Sequence, residues 1–546
     1  MRTGTRARGG LLVAGTTSDA GKSTVTAGLC RWLARRGVKV APFKAQNMSN
    51  NSMVCADGAE IGRAQWLQAV AAGAEPESAM NPVLLKPGGD RRSHVVLRGR
   101  PWGELTAGEW TTGRAALAEA AHAALTELRE RFDIVLCEGA GSPAEVNLRD
   151  GDYVNMGLAR RAGLPVVVVG DIDRGGVLAA MAGTLALLDA EDQALVAGFL
   201  VNKFRGDPEL LRPGLDTLHA LTGRPVLGVL PWLPGAWLDS EDALAIAGWA
   251  GREERPGGTL RVAAVRLPRV SNATDLDPLA AEPGVSVTFT ADPDTVAAAD
   301  LVVLPGSRST VRDLAWLRRH GIAAAIAERA AAGRPVLGVC GGYQMLAGTI
   351  HDDVESGDGT VTGLGRLPTA VRFRREKTLG RPSGTWRGHP VTGYEIHHGV
   401  AEATGTAEPF LDGYRRGAVW GTMWHGVFEN DDFRRAWLTE VAGQAGVAWR
   451  PAGGPGFGTL REAMLDRLAD AIEQHVDTAA LLDLIDRGAP PDLPAVRLTT
   501  AGNNPARPGV GRDERTATGH DRATTAEHRP SASEEGAQAG GVRPKG

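Results

Sequence analysis

The sequence predicts two successive α/β domains, each a mostly parallel sheet wrapped by helices, the first doubly wound behind a phosphate loop. Three observations predict this. Short, nearly unbroken β-branched runs alternate with stretches of helical period, as parallel strands buried on both faces require. A glycine-rich turn ending in Gly21-Lys22-Ser23 follows the first run. A second small-residue turn, Gly338-Val339-Cys340-Gly341-Gly342, follows a later one.

Taken in order, Gly10–Gly15 reads as a strand and Ser23–Arg36 as a helix with Val25, Leu29, Trp32 and Leu33 on one face. Further strands are expected at Ile134–Cys137, Pro165–Val169, Val196–Val201 and Val226–Leu230. Residues 1–250 are expected to form the first domain. The polar stretch Gly251–Gly258 reads as a linker. A second α/β pattern begins at Val262 and fills 259–445, with apolar runs at Leu301–Leu304, Val336–Val339 and Gly417–His425. Residues 446–488 read as a helical extension, with Leu460, Met464, Leu468 and Ile472 at i+4 spacing and a second apolar cluster at Leu481–Ile485. Residues 489–546 have few large apolar side chains to offset their ordering entropy, and are expected to be disordered.

The length of 546 residues suggests about three to four domains. A net charge of -4 gives no reason to expect a nucleic-acid or membrane-surface partner. The four cysteines, Cys30, Cys55, Cys137 and Cys340, are scattered, which argues against zinc or a disulfide framework and for a reducing, cytoplasmic location. No apolar run approaches the roughly 20 residues of a membrane span.

Two places carry chemistry. Gly15-Thr16-Thr17-Ser18-Asp19-Ala20-Gly21-Lys22-Ser23 lies between a strand and a helix. Its backbone N–H groups cradle phosphates, Lys22 neutralises their charge and Ser23 reaches Mg²⁺. The loop is one residue longer than the usual pattern and resembles that of dethiobiotin synthetase. Glu138, ending the Asp133–Glu138 run, is the expected Mg²⁺ ligand and Glu60 a second candidate. Asn202, after a strand, is a candidate for reading an adenine edge. The other place is the Cys340 elbow, which exposes a nucleophile and aims the Gly341 N–H at a developing oxyanion. Gly306, in Leu304-Pro305-Gly306-Ser307-Arg308, is placed to supply the other N–H, and His425 to act as the base. An amide-cleaving site and an ATP site on one chain point to an enzyme that moves nitrogen at the expense of ATP.

The separation of Cys340 and His425 resembles that of class I glutamine amidotransferases, with one departure. The glutamate two residues after the histidine is replaced by Val427, leaving Glu429 or Glu395 to assist. The long phosphate loop, Lys44-Ala45-Gln46-Asn47-Met48-Ser49-Asn50-Asn51-Ser52, Asn81–Pro87, Pro305–Arg308, the Cys340 elbow, Gly393–His397 and His425 together resemble the cobyric acid synthase family, over roughly residues 10 to 440. That resemblance implies a P-loop-type synthetase domain followed by a class I glutamine amidotransferase-like domain. It implies conversion of four peripheral carboxylates of adenosylcobyrinic acid a,c-diamide into carboxamides in cobalamin biosynthesis. ATP, Mg²⁺, glutamine and the corrinoid are then the partners, with no tightly bound prosthetic group. The alternatives are a cobyrinic acid a,c-diamide synthase and, in another class, a non-catalytic P-loop ATPase adaptor with a decayed amidotransferase domain.

Overall fold

A computed structural model describes residues 9–89, 92–106, 110–234 and 259–497, which belong to one compact unit. The linker expected at 251–258 and the tail from residue 498 lie outside the described residues.

The first domain is built on a six-stranded sheet in the order Val226–Pro231, Val196–Phe204, Val166–Asp171, Gly9–Gly15, Ile134–Glu138, Val40–Phe43. All neighbours run parallel. Every residue of Val166–Asp171 is buried, and alternate side chains join opposite cores. Val166 and Val168 share a core with Leu117, Ala121 and Leu125 of helix Trp110–Arg131, whereas Val167 and Val169 share one with Trp32 and Leu468. A four-stranded sheet of Gln46–Met48, Val83–Gly89, Arg92–Leu97 and Arg100–Thr106, and a hairpin of Ser52–Val54 with Glu60–Gly62, are added beside the main sheet.

The second domain has a seven-stranded sheet in the order Val285–Thr290, Leu260–Val265, Leu301–Leu304, Val336–Val339, Val419–Thr422, Gly413–Arg416, Glu408–Phe410. The first five are parallel and the last two antiparallel. The apolar run expected over Gly417–His425 is thus a shorter strand, Val419–Thr422, entered from a hairpin at Gly417. A further sheet containing Thr369–Gly380 and Glu395–Ala403 leans over the Cys340 elbow.

The helical extension returns to the first domain. Its helix Phe457–His475 buries Met464, Leu465, Leu468 and Ile472 in the same core as Trp32. Arg31 Nε donates to Asp466 and Trp32 Nε1 to Glu473, each at 2.8 Å. Helix Thr478–Arg487 follows. Residues 489–497, expected to be disordered, are also held. Val496 N donates to Gln193 Oε1 at 2.7 Å, and the buried Arg224 guanidinium donates to Pro494 O. A buried cation and a buried amide need those carbonyl and amide partners, which composition alone does not reveal.

Candidate active site

Strand Val336–Val339 is wholly buried and stops at Cys340, whose φ of 48° is unusual for a residue with a side chain. Helix Gly341–Leu346 starts at once. A side chain at Gly342 would meet Leu304 O at 2.0 Å, so only glycine lets the elbow close on its neighbouring strand. Gly306 lies against His425, and Ser307 against Gly341, so both glycines expected to flank an oxyanion stand beside the thiol.

The His425 ring lines the same pocket as the Cys340 thiol and, through Nδ1, bonds Asp275 Oδ2 at 2.6 Å. The other oxygen of Asp275 accepts the Gly426 N–H at 2.8 Å. Tyr394 stacks on the imidazole with ring centroids 5.3 Å apart. Burial opposes a charge on His425, but Asp275 and Cys340 outweigh it and raise the imidazole to about 10. The ring is therefore held as an imidazolium beside the sulfur at neutral pH.

Neither glutamate suggested as an assistant faces His425. Glu429 pairs with Arg63 at 2.8 Å and Arg461 at 2.7 Å. Glu395 bonds His397 at 3.3 Å. Val427 is buried among apolar side chains. The carboxylate comes instead from Asp275, 150 positions before the histidine. Sequence reasoning missed it. The available signal was the run Ser271-Asn272-Ala273-Thr274-Asp275, in the stretch that follows the first strand, Leu260–Val265, of an α/β domain, where loops carry function.

At the phosphate loop, Gly21 has φ 98° and caps helix Lys22–Arg35. Lys22 Nζ donates to Thr17 O at 2.9 Å and Gly141 O at 3.1 Å. Gly15 ends the strand, and Thr16 N donates to Val169 O at 2.9 Å. Ser23 Oγ donates to Glu138 Oε1 at 2.8 Å, so the two expected Mg²⁺ ligands meet. A hydroxyl and a carboxylate at a phosphate loop are hard oxygen donors, which fits that ion. Lys44 donates to the same oxygen at 2.9 Å and Gln68 to Oε2 at 2.6 Å. Burial pushes the Glu138 carboxyl up, but Lys44, Gln68 and Ser23 outweigh it and hold it below the usual range.

Two expectations fare differently. Asn202 Nδ2 donates to Ala20 O at 3.0 Å, bracing the phosphate loop. Glu60 stands apart from the Ser23–Glu138 pair. Its oxygens take Ser52 Oγ at 2.8 Å, Lys377 at 2.6 Å and Lys86, so its charge is already matched by two lysines. Among the described residues no group of three or more His, Cys, Asp or Glu side chains forms a metal cluster.

Residues 11–242 match the family model of the CobQ/CobB/MinD/ParA nucleotide binding domain, and 261–433 that of the CobB/CobQ-like glutamine amidotransferase domain. Cobyric acid synthase of Cutibacterium acnes is 62% identical over 87% of this chain and 99% of its own length. That of Mycolicibacterium gilvum is 60% identical over 89% of this chain and 98% of its own.

The chain belongs to the cobyric acid synthase family.

It is a glutamine-dependent amide ligase of cobalamin biosynthesis with a nucleotide-binding domain. A solved glutamine amidotransferase, 18% identical, covers 33% of this chain and 98% of its own with a TM-score of 0.29, too low to bear on the site. No helix among the described residues is long and apolar enough to cross a membrane.

Proposed function

We propose that this chain amidates four peripheral carboxylates of adenosylcobyrinic acid a,c-diamide, using ATP and the amide nitrogen of glutamine. The observation that carries the reading is the Cys340–His425–Asp275 arrangement in one compact unit with the Ser23–Glu138 phosphate site.

The chemistry follows from the residues. Cys340 thiolate attacks the glutamine side-chain carbonyl, and the Gly306 and Gly341 N–H groups stabilise the oxyanion. The C–N bond breaks as His425 gives its proton to the leaving nitrogen, which departs as ammonia. Water, giving a proton to His425, then cleaves the thioester to glutamate. Asp275 keeps the ring oriented and supports its charge. At the other site a corrinoid carboxylate takes the γ-phosphoryl of ATP, and ADP leaves. Lys22 and the loop amides hold the phosphates, and Asn202, bonded to the loop at Ala20, would read the adenine edge. Ser23 and Glu138 would hold Mg²⁺, which supplies charge neutralisation at the phosphates. Ammonia attacks the acyl phosphate and phosphate leaves, giving the carboxamide.

The test is carboxamide formation from adenosylcobyrinic acid a,c-diamide with either glutamine or ammonium, with cobyrinic acid as the competing substrate. Amidation of cobyrinic acid alone would overturn the substrate assignment. Cys340→Ala is expected to abolish the glutamine-dependent reaction and spare the ammonium-dependent one. Lys22→Ala is expected to abolish both.

A further inference from the structure

The pocket that holds the Cys340 thiol is walled by residues of both domains. Besides Cys340 and His425 it is lined by an ion pair, Arg308 with Glu355, and by two side chains with unused polar atoms. Those atoms are His397 Nδ1 and Asn50 Oδ1, each buried without a partner. Asn50 comes from the first domain, in the Lys44–Ser52 segment. The residues after it fix that segment to the second domain. Ala273 N donates to Asn51 Oδ1 at 3.3 Å, and Ser52 N to Asn272 Oδ1 at 2.9 Å.

The charged groups are held in place. Arg308 lies two residues after Gly306, the expected oxyanion donor, which along extended backbone is about 6–7 Å. Arg308 N donates to Arg269 O at 2.9 Å and Ser307 Oγ to Asp313 Oδ2 at 2.7 Å, which pins this stretch. Glu355 sits on a turn where the Asp352 carboxylate accepts the N–H groups of Val354, Glu355 and Ser356 at 3.1, 2.8 and 3.0 Å. His397 Nε2 lies 3.3 Å from Glu395 Oε2. A carboxylate only accepts, so Nε2 donates and Nδ1 of the neutral ring presents a lone pair.

Glutamine brings its side-chain amide to the thiol, and its α-carboxylate and α-ammonium follow into the same pocket. Charges taken out of water are costly unless they are paired. A zwitterion therefore needs fixed charges of both signs at one end of the pocket, and Arg308 with Glu355 supplies them. The planar guanidinium fork matches a carboxylate. An ammonium has three N–H donors. Glu355, Asn50 Oδ1 and His397 Nδ1 are three acceptors, two of them otherwise unused.

We propose that Arg308 binds the α-carboxylate of glutamine, and that Glu355, His397 and, from the first domain, Asn50 bind its α-ammonium. The proposal rests on glutamine hydrolysis at Cys340 as set out above. It makes the glutamine site incomplete without the synthetase domain, because one of the head-group ligands belongs to that domain.

The experiment uses the full chain with ATP and adenosylcobyrinic acid a,c-diamide present and reads ammonia release from three substrates. These are L-glutamine, glutaramate, which lacks the α-amino group, and L-glutamine α-methyl ester, which lacks the carboxylate charge. Wild type is expected to favour glutamine over either analogue by about 10²-fold or more in kcat/KM, because each analogue leaves polar groups of the site unpaired. In Glu355→Gln and Asn50→Ala the glutamine-to-glutaramate ratio is expected to fall about tenfold or more, while the glutamine-to-ester ratio stays within about twofold. In Arg308→Ala the glutamine-to-ester ratio is expected to fall about tenfold or more. The losses should lie in KM, with kcat within about threefold of wild type. Each ratio is taken within one sample, so inactive protein cancels and a purely structural role moves neither ratio. Unchanged glutamine-to-glutaramate ratios in both Glu355→Gln and Asn50→Ala overturn the ammonium site, and an unchanged glutamine-to-ester ratio in Arg308→Ala overturns the carboxylate site. A shift with Glu355→Gln but not with Asn50→Ala overturns the contribution of the first domain. A wild type that releases no ammonia from glutamine overturns the amidotransferase reading itself and the head-group site with it.

Discussion

At the scale of single residues, Asp275 is the carboxylate that holds the His425 ring and favours its charge. Its carboxylate sits 2.6 Å from Nδ1 and is the principal opponent of the burial that would discharge the ring. Asp275→Asn is therefore expected to cost glutamine hydrolysis on the order of 10²-fold or more, as for loss of a general acid–base in its working tautomer. Glu429→Gln is expected to cost less than about tenfold, because that carboxylate acts on Arg63 and Arg461 rather than on the imidazole. The pH dependence has a definite sign. A histidine raised from 6.5 to about 10 contributes pairing energy that is complete below 6.5 and is lost as pH rises through about 10. The alkaline limb of kcat/KM for glutamine should therefore lie near pH 10 in wild type and move down in Asp275→Asn. Limbs that coincide in the two proteins would remove Asp275 from this role.

At the scale of elements, long and strongly patterned segments were legible in the sequence and short or distant ones were not. The six parallel strands of the first sheet include Gly9–Gly15, Ile134–Glu138 and Val166–Asp171, all continuous apolar runs, and the sequence placed these to within two residues. Gln46–Met48, Ser52–Val54 and Glu60–Gly62 are three residues each, too short for any period to show. The meeting of Cys340 and His425 in one pocket was legible because a strand-to-helix elbow and a known spacing mark them. Asp275 was not, because its link to His425 exists only once the chain has folded. The i+4 face of Phe457–His475 was legible too, but not its partner: it packs on Lys22–Arg35, 435 positions away by the Arg31–Asp466 contact. Leu468, 3% exposed in that seam, gives the test. Leu468→Ala is expected to lower stability by about 2–5 kcal/mol in urea unfolding, with no change in the glutamine-hydrolysis mechanism. A loss within experimental error would mean the extension is not part of the first domain's core.

At the scale of the whole molecule, the chain's end and the junction between its domains both carry consequences. Ending the chain at Arg497 keeps the Gln193 and Arg224 contacts and is expected to leave melting temperature and activity unchanged, whereas ending it at Gly488 strands both buried groups and should lower the melting temperature by several degrees. The junction bears on catalysis. Asn272, at φ 51°, accepts the Ser52 N–H at 2.9 Å through Oδ1, and Asn51 Oδ1 accepts the Ala273 N–H at 3.3 Å. The loop that carries Asp275 is thus held by the segment that begins at Lys44 on Glu138. Removing the hold should loosen Asp275 and with it His425. Asn272→Ala loses the cross-domain bond and also puts a less tolerant residue in the left-handed region, while Asn272→Gly loses the bond alone. Both are expected to slow glutamine hydrolysis by about tenfold or more, since small misplacements of a catalytic group are costly, and to leave ammonium-dependent amidation within about twofold. If Asn272→Gly hydrolyses glutamine at the wild-type rate and only Asn272→Ala is slow, the loop is set by its own backbone and the first domain does not position the triad.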